Sequence, residues 1–324
     1  MHKDCLFIAD FSHFKRLGGV EKNGRLFIDY LLENSSVQVE IIYKQSDLFK
    51  VLLKNLCGLM SIQGVFTFKG SALFSVLFRL QGIRIISRIN NSPEAYLYWK
   101  GVRSIFSYFV RLHPRSGDVY IYNSRKVLEF YSVNIRKEIQ HLYLPNYPIN
   151  VKIFRKNSDI KIFMAARFSP EKNIISTLNL INKSDLFEDR ECIFYSDSKT
   201  SVVESLAFSE LEIFFNDVFV SMSFFEGMPN MAVEALARGA RLILSNCWAH
   251  VELFNELRNF NLSSRIIIMD LASTNDVKKR LNEFLNTSGE VSEGEVFMNT
   301  QKYFSSIDKN YREAVTQIEQ SICK

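Results

Sequence analysis

Several things that would assign this 324-residue chain quickly are missing from its sequence. Its five cysteines, Cys5, Cys57, Cys192, Cys247 and Cys323, are odd in number and scattered. That pattern excludes the close pairs of a zinc site or a redox motif and points to reduced thiols. No run of 18 apolar residues occurs, and the amino end, MHKDCLFIADFSHFK, lacks the long apolar stretch of a signal peptide. The expectation is a cytoplasmic chain that does not span a membrane. There is no Asp-x-Asp element and no histidine cluster. His13, His113, His141 and His250 stand at no ligand-like spacing, so each reads as structural or surface, and no metal is expected. Neither the P-loop pattern nor a dinucleotide fingerprint is present, nor an internal repeat, a low-complexity tract or a nucleic-acid-binding module.

What is there is a normal globular composition, 47% hydrophobic and 23% charged, with ample material for a core. The net charge of +5 is unevenly spread. Residues 1–150 hold 20 Lys and Arg against 11 Asp and Glu, and residues 151–324 hold 20 against 24. A basic half suggests an anionic partner, which could be nucleic acid, phosphate-bearing lipid or the cytoplasmic leaflet.

Short β-branched and aromatic runs alternate with longer helical segments throughout the amino half: residues 5–10, 37–44, 64–68, 83–89 and 118–124. Two prolines and a polar stretch interrupt the pattern over 143–159, and it restarts at 160–168, 191–196, 211–215, 218–223, 241–246 and 265–270. Continuous apolar strands alternating with helices predict parallel sheets covered on both faces, hence two doubly wound α/β domains, 1–150 and 151–300. Such sheets bind ligands at the carboxyl ends of their strands, and a cleft between the domains is the expected site. Residues 299–321, with Tyr303, Phe304, Ile307, Tyr311, Ala314, Val315 and Ile318 three and four apart, predict an amphipathic closing helix. A segment 301–324 packing back towards the amino domain is expected.

Three elements carry candidate chemistry. In FFEGMPNMAVEALARGA (224–240), Pro229 and Asn230 suit a helix start and Gly239 its end, which puts Glu234 in the first turns of that helix and Glu226 in the loop before it. Both glutamates could instead simply be solvated. In MAARFSPEKNI (164–174), Arg167 and Lys172 follow a strand and could clamp a diphosphate, Arg by a fork of hydrogen bonds and Lys as a point charge, or they could sit in a solvated loop. In FKRLGGVEKNGRLF (14–27), Gly18 and Gly19 allow close backbone approach to a ligand at a helix start, although a lone Gly-Gly is more often just a turn.

Taken together, GGVEK, RFSPEKNI and the glutamates eight positions apart in FFEGMPNMAVEALARGA resemble the retaining glycosyltransferases of family 4, which have the GT-B fold of two facing Rossmann-like domains. NSRKVLEFY (123–131) and the closing helix also sit where that family has comparable segments. The resemblance implies an acceptor held mainly by the first domain and a nucleotide-diphosphate sugar held mainly by the second. Arg167 and Lys172 would bind the donor diphosphate, Glu234 the ribose hydroxyls, and Glu226 would lie by the donor sugar. Gly227, Met228, Pro229, Asn230 and Met231 would form the sugar loop, with backbone amides from Met228 to Met231 as donors. Glu226, Lys172 and Arg167 are the candidate catalytic residues. No cofactor or metal is implied, because fixed cations and amides can stabilise the leaving diphosphate. Retention would follow from front-face attack, not from Glu226 acting as a nucleophile.

Where relatives carry a histidine or aspartate after the fourth strand, this sequence reads ISRINNSPEAYLYW, leaving Asn90 or Asn91 as sugar contacts that can bind a hydroxyl without acting as a base. Residues 193–216 are compressed and lack the glycine-rich turn usual in relatives. The stretch 95–115 interleaves Tyr96, Tyr98, Trp99, Phe106 and Phe109 with Lys100, Arg103, Arg111 and Arg115. That pattern suits a helix on the anionic inner leaflet, or a core helix with a basic exposed face. The expected function is sugar transfer to a lipid-linked glycan in bacterial surface polysaccharide biosynthesis, with no nucleic-acid partner. The alternatives are a catalytically inactive GT-B protein serving as glycan-binding or partner subunit, and an epimerase or phosphorylase on the same fold.

Overall fold

The computed structural model describes residues 6–11, 19–67, 72–89, 118–134, 140–145, 151, 154–156, 159–183, 192–197, 204–270, 280–281, 283–285 and 291–322. The chain divides into two units, Met1–Tyr147 with Ile307–Lys324, and Pro148–Ser306.

Unit 1 contains a six-stranded parallel sheet in the order β2-β1-β3-β4-β5-β6. Its strands are β1 (Leu6–Asp10), β2 (Gln38–Ile42), β3 (Gly64–Thr67), β4 (Arg84–Ile89), β5 (Val119–Tyr122) and β6 (Gln140–Tyr143). Strands β3 and β5 are buried along their whole length, as expected of central parallel strands covered on both faces. The helices are α1 (Gly19–Asn34), α2 (Gln45–Leu56), α3 (Ala72–Leu80) and α4 (Arg125–Asn134). Right-handed crossovers from β2 to β3 and from β3 to β4 put α2 and α3 on one face of the sheet. There Leu48, Val51 and Leu52 of α2 and Phe78 of α3 join Ile8, Val65 and Ile85 in one core.

Unit 2 holds a five-stranded parallel sheet in the order β11-β10-β9-β7-β8. It is made of β7 (Ile162–Ala165), β8 (Cys192–Tyr195), β9 (Val218–Ser221), β10 (Arg241–Ser245) and β11 (Ile266–Met269). Its helices are α5 (Ile174–Lys183), α6 (Asn230–Leu236) and α7 (Trp248–Arg258). The last helix, α8 (Glu293–Ile322), belongs to unit 2 up to Ser306 and to unit 1 from Ile307. In unit 1 its Tyr311 packs on Tyr30 of α1 at 5.4 Å between ring centroids and donates from its hydroxyl to the Pro145 carbonyl at 2.8 Å.

The expected strand at 211–215 is not formed. The side chain of Asp217 instead accepts the amides of Phe214 (2.9 Å) and Lys161 (3.0 Å), the Phe215 amide goes to the Arg155 carbonyl (2.7 Å), and Asn216 turns the chain at φ 69°. The aromatic rings of this run serve packing: Phe215 stacks on Phe154 at 5.3 Å. Strand β6 was missed because its four residues, QHLY, carry two polar side chains and lie against the proline-interrupted stretch. Among the described residues no helix is long and apolar enough to cross a membrane.

Candidate functional site

The chain leaves β7 towards β8 on one side of it, and returns to β9 on the other. This strand order makes the carboxyl ends of β7 and β9 the switch point of the sheet, where loops diverge and leave a crevice. Among the described residues the ladder between the two strands pairs Ile162 with Val218 and Phe163 with Phe219, and stops before either strand ends.

The loops that leave those ends are tied together. After β7, a 3₁₀ turn over Pro170–Lys172 ends at Asn173, whose left-handed backbone (φ 50°) suits asparagine. The buried Asn173 side chain donates to the Met222 carbonyl after β9 (3.2 Å), and the Phe224 amide donates to the Glu171 carbonyl (2.9 Å). The Glu171 carboxylate, also buried, accepts from the Ser169 hydroxyl at 2.6 Å. Across this brace Lys172 Nζ donates to Glu226 Oε1 at 2.5 Å, with both side chains largely buried. Burial alone would push the Glu226 carboxyl upward. The charge of Lys172 and hydrogen bonds from Lys172 and Ser223 outweigh that and hold it below its ordinary range. Glu226 is therefore a carboxylate at neutral pH, with accepting capacity beyond its bond to Lys172.

His250, read from the sequence as structural or surface, lies in this neighbourhood and is 0% exposed. Its tautomer follows from its partners. The Ser245 hydroxyl uses its only proton on the Ser223 carbonyl (2.6 Å), and His250 Nδ1 lies 3.0 Å from that hydroxyl oxygen and 3.1 Å from the Ser245 carbonyl. A carbonyl only accepts, so Nδ1 carries the proton. Nε2 is then a bare acceptor, buried and without a hydrogen-bond partner among the described residues. Burial first, and Lys172 second, lower the imidazole pKa to about 4 against the opposing pull of Glu226, so the ring is neutral near pH 7. The signal that could have found His250 is positional. It is the third residue of the helix leaving the carboxyl end of β10, the strand beside β9.

The remaining sequence candidates are placed as follows. Arg167 stands exposed two residues beyond β7 and makes no ion pair or hydrogen bond among the described residues. Pro229 caps α6 and Asn230 begins it; Glu234 is the fifth of its seven residues, half-buried, with its carbonyl accepting from Arg238 (2.8 Å). Of the amides expected to serve a donor, Pro229 has none and that of Asn230 is already bound to the Met228 carbonyl (2.9 Å), which leaves Met228 and Met231. Gly227 is half-buried and Met228 buried. Gly19 is the first residue of α1. Gly18, Asn90, Asn91 and the aromatic and basic stretch 95–115 lie outside the described residues.

Burying a cation does not by itself make a site. Arg265, also in unit 2, donates to Asn216 Oδ1 (2.8 Å) and to the Gly239 carbonyl, and burial, then Arg241, bring it down to about 9. It caps carbonyls near the amino end of β10, whereas Lys172 and Glu226 meet at the carboxyl ends of β7 and β9. Among the described residues no three His, Cys, Asp or Glu side chains gather as a metal site would require.

No family model matches the sequence, and no curated protein does either. Solved structures do match over nearly the whole chain. HepE of Anabaena in complex with UDP-glucose is 12% identical with a TM-score of 0.64, covering 98% of this chain and 99% of that one. The apo form of WaaB, a lipopolysaccharide outer core galactosyltransferase, is 14% identical with a TM-score of 0.58, covering 97% and 99%. The sucrose-phosphate synthase of Thermosynechococcus elongatus is 12% identical with a TM-score of 0.60, covering 99% and 96%. At such identities the likeness shows the fold, and that fold, with its two parallel-sheet α/β units, is the GT-B fold of these glycosyltransferases.

Proposed function

We propose that the chain is a retaining glycosyltransferase that moves a sugar from a nucleoside-diphosphate sugar to a lipid-linked glycan, in bacterial surface polysaccharide assembly on the cytoplasmic side of the membrane. The observation that carries the reading is the Lys172–Glu226 pair, braced at the switch point of unit 2. Structural neighbours add support: HepE is in complex with UDP-glucose, and WaaB is a galactosyltransferase of the lipopolysaccharide outer core.

The residues divide the work by their chemistry. Breaking the bond between sugar and phosphate builds negative charge on the leaving diphosphate. Lys172 has three N–H donors, of which one holds Glu226, so others are available to a phosphate oxygen. Arg167, exposed two residues past the same strand, adds a planar fork suited to a second phosphate. These two cations supply the stabilising charge without a metal. Glu226, held ionised, accepts hydrogen bonds from hydroxyls of the donor sugar, and Glu234 from those of the ribose. The acceptor hydroxyl forms the new glycosidic bond on the face the diphosphate leaves, and its proton passes to the leaving phosphate, so no protein base is required.

The test is a thermal-shift series of the purified chain with UDP-, GDP-, dTDP- and CMP-sugars, alongside Lys172→Ala and an assay of donor hydrolysis. The expected result is a raised melting temperature with one nucleotide series, lost in the variant. No shift and no hydrolysis with any donor, in protein shown to be folded, overturns the reading in favour of a glycan-binding subunit.

A further inference from the structure

Among the described residues, six of the nine exposed large apolar side chains of unit 1 lie on or just beyond two neighbouring helices, the others being Leu32, Tyr43 and Val133. On α2, Phe49 (52% exposed), Leu53 (45%) and Leu56 (68%) recur at i, i+4 and i+7, and Leu59 (79%) follows just beyond the helix. On α3, Val76 (46%) and Leu80 (78%) repeat the spacing. Spacings of four and three trace one stripe along a helix. The stripe on α2 is distinct from the buried residues Leu48, Val51 and Leu52, which point into the core. The two helices share that core, and the Asn55 side-chain amide at the end of α2 donates to Gln81 Oε1 just after α3 (2.9 Å). Six large apolar side chains therefore stand towards solvent on one face of the sheet with no function in the core.

Charge identifies what they meet. Residues 44–84, which contain α2, β3 and α3, carry Lys44, Lys50, Lys54, Lys69, Arg79 and Arg84 against a single acid, Asp47. Asp47 is engaged by Lys50 (3.0 Å), and Arg79 by Asp118 (2.5 Å). That leaves Lys44, Lys54 and Arg84 exposed and without an ion pair among the described residues. On α2, Lys50 and Lys54 form their own i, i+4 row beside the apolar stripe. An apolar stripe bordered by a lysine row suits a helix lying in the plane of an anionic bilayer, the apolar side chains entering the acyl boundary and the lysines meeting headgroup phosphates. A second copy fits poorly, because a two-fold contact sets the same basic row against itself. A nucleic acid would use the lysines but not the leucines.

We infer that the α2–α3 face of unit 1 docks on an anionic lipid surface. The inference deepens the membrane location in the proposed function and places the contact on α2 and α3; lipid binding is read separately from sugar transfer. The experiment is co-sedimentation of the full chain with vesicles of phosphatidylcholine containing 30% phosphatidylglycerol, and with phosphatidylcholine alone. About tenfold stronger binding to the anionic vesicles is expected, falling several-fold in 0.5 M salt. Leu53→Glu with Leu56→Glu abolishes it, and Lys50→Glu with Lys54→Glu weakens it about tenfold, while far-ultraviolet circular dichroism and the nucleotide-sugar thermal shift stay as in the parent. Equal binding by parent and leucine variant overturns the inference. So does no binding by the folded parent, or a parent dimer that the leucine variant dissolves.

Discussion

In each unit one ion pair of 2.5 Å ties elements together at an end of the sheet, Arg79–Asp118 in unit 1 and Lys172–Glu226 in unit 2, and the two lie at opposite ends of their sheets. In unit 1, Arg79 meets Asp118, which stands just before β5 and also accepts the Ile85 amide near the start of β4 (2.8 Å). In unit 2, Lys172 meets Glu226 where β7 and β9 end. The first pair closes the amino edge of a sheet and fixes one helix to it. The second joins two loops at the edge where α/β sheets bind ligands. Distance alone does not separate a pair that only joins elements from one proposed to act on a ligand; the end of the sheet is what differs. The same contrast holds for the polar residues at the two switch points. Asp10 and Thr67 face each other in register there in unit 1, both buried, whereas unit 2 brings an acid and a base together under a braced pair of loops.

The comparison is sharpest in activity. Lys172→Ala should lower the initial rate of sugar transfer about 10²- to 10³-fold, the range for removing a fixed stabiliser of transition-state charge. Arg79→Ala should leave kcat within about twofold and only lower the denaturation midpoint. Equal losses in the two variants would erase the distinction.

Next in size is acid sensitivity. Folded His250 stays neutral until about pH 4, whereas an unfolded imidazole takes its proton near 6.5. Between those values the unfolded chain binds more protons, so stability falls as pH drops from about 6.5 to 4, by at most about 3 kcal/mol from this group. The depressed Glu226 adds its own loss only below its ordinary carboxylate range. Urea titrations at a series of pH values should show the slope, and His250→Asn should flatten it between pH 6.5 and 4.

A smaller effect is expected at Gly239, which turns the chain three residues beyond α6 at φ 82° and whose added Cβ would lie 2.7 Å from Phe215. Gly239→Ala should cost about 2 kcal/mol by denaturant unfolding. Smallest is the exposed Arg25–Asp29 pair of α1 at 3.2 Å, where Arg25→Ala should change stability by no more than about 0.5 kcal/mol.

The sheets were legible because buried parallel strands read as short apolar runs, and ten of the eleven strands among the described residues lie within such runs. The run LEIFF misled for the same reason: its apolar content serves stacking and a turn around Asp217, and a one-dimensional pattern does not distinguish these. At the site, Lys172 and Glu226 were named from the sequence, and the structure adds that they touch. Glu171 and Asn173 were not, because their roles are bonds between loops some fifty residues apart. His250 was set aside for lack of spacing, a criterion that finds metal ligands but not a lone imidazole buried beside an ion pair.

The closing helix bears on how the protein is made. Residues 307–322 complete unit 1: Tyr311 packs on Phe27 and Tyr30, Tyr30 donates to Asp308, and Glu319 receives the Ser36 amide. All of Pro148–Ser306, roughly 160 residues, is synthesised between the two parts. At about 5–20 residues per second, the ribosome takes roughly 10 to 30 s over that stretch. Unit 2 can therefore finish folding first, while Phe27 and Tyr30 wait uncovered, and that interval is when a nascent chain of this design most needs a chaperone.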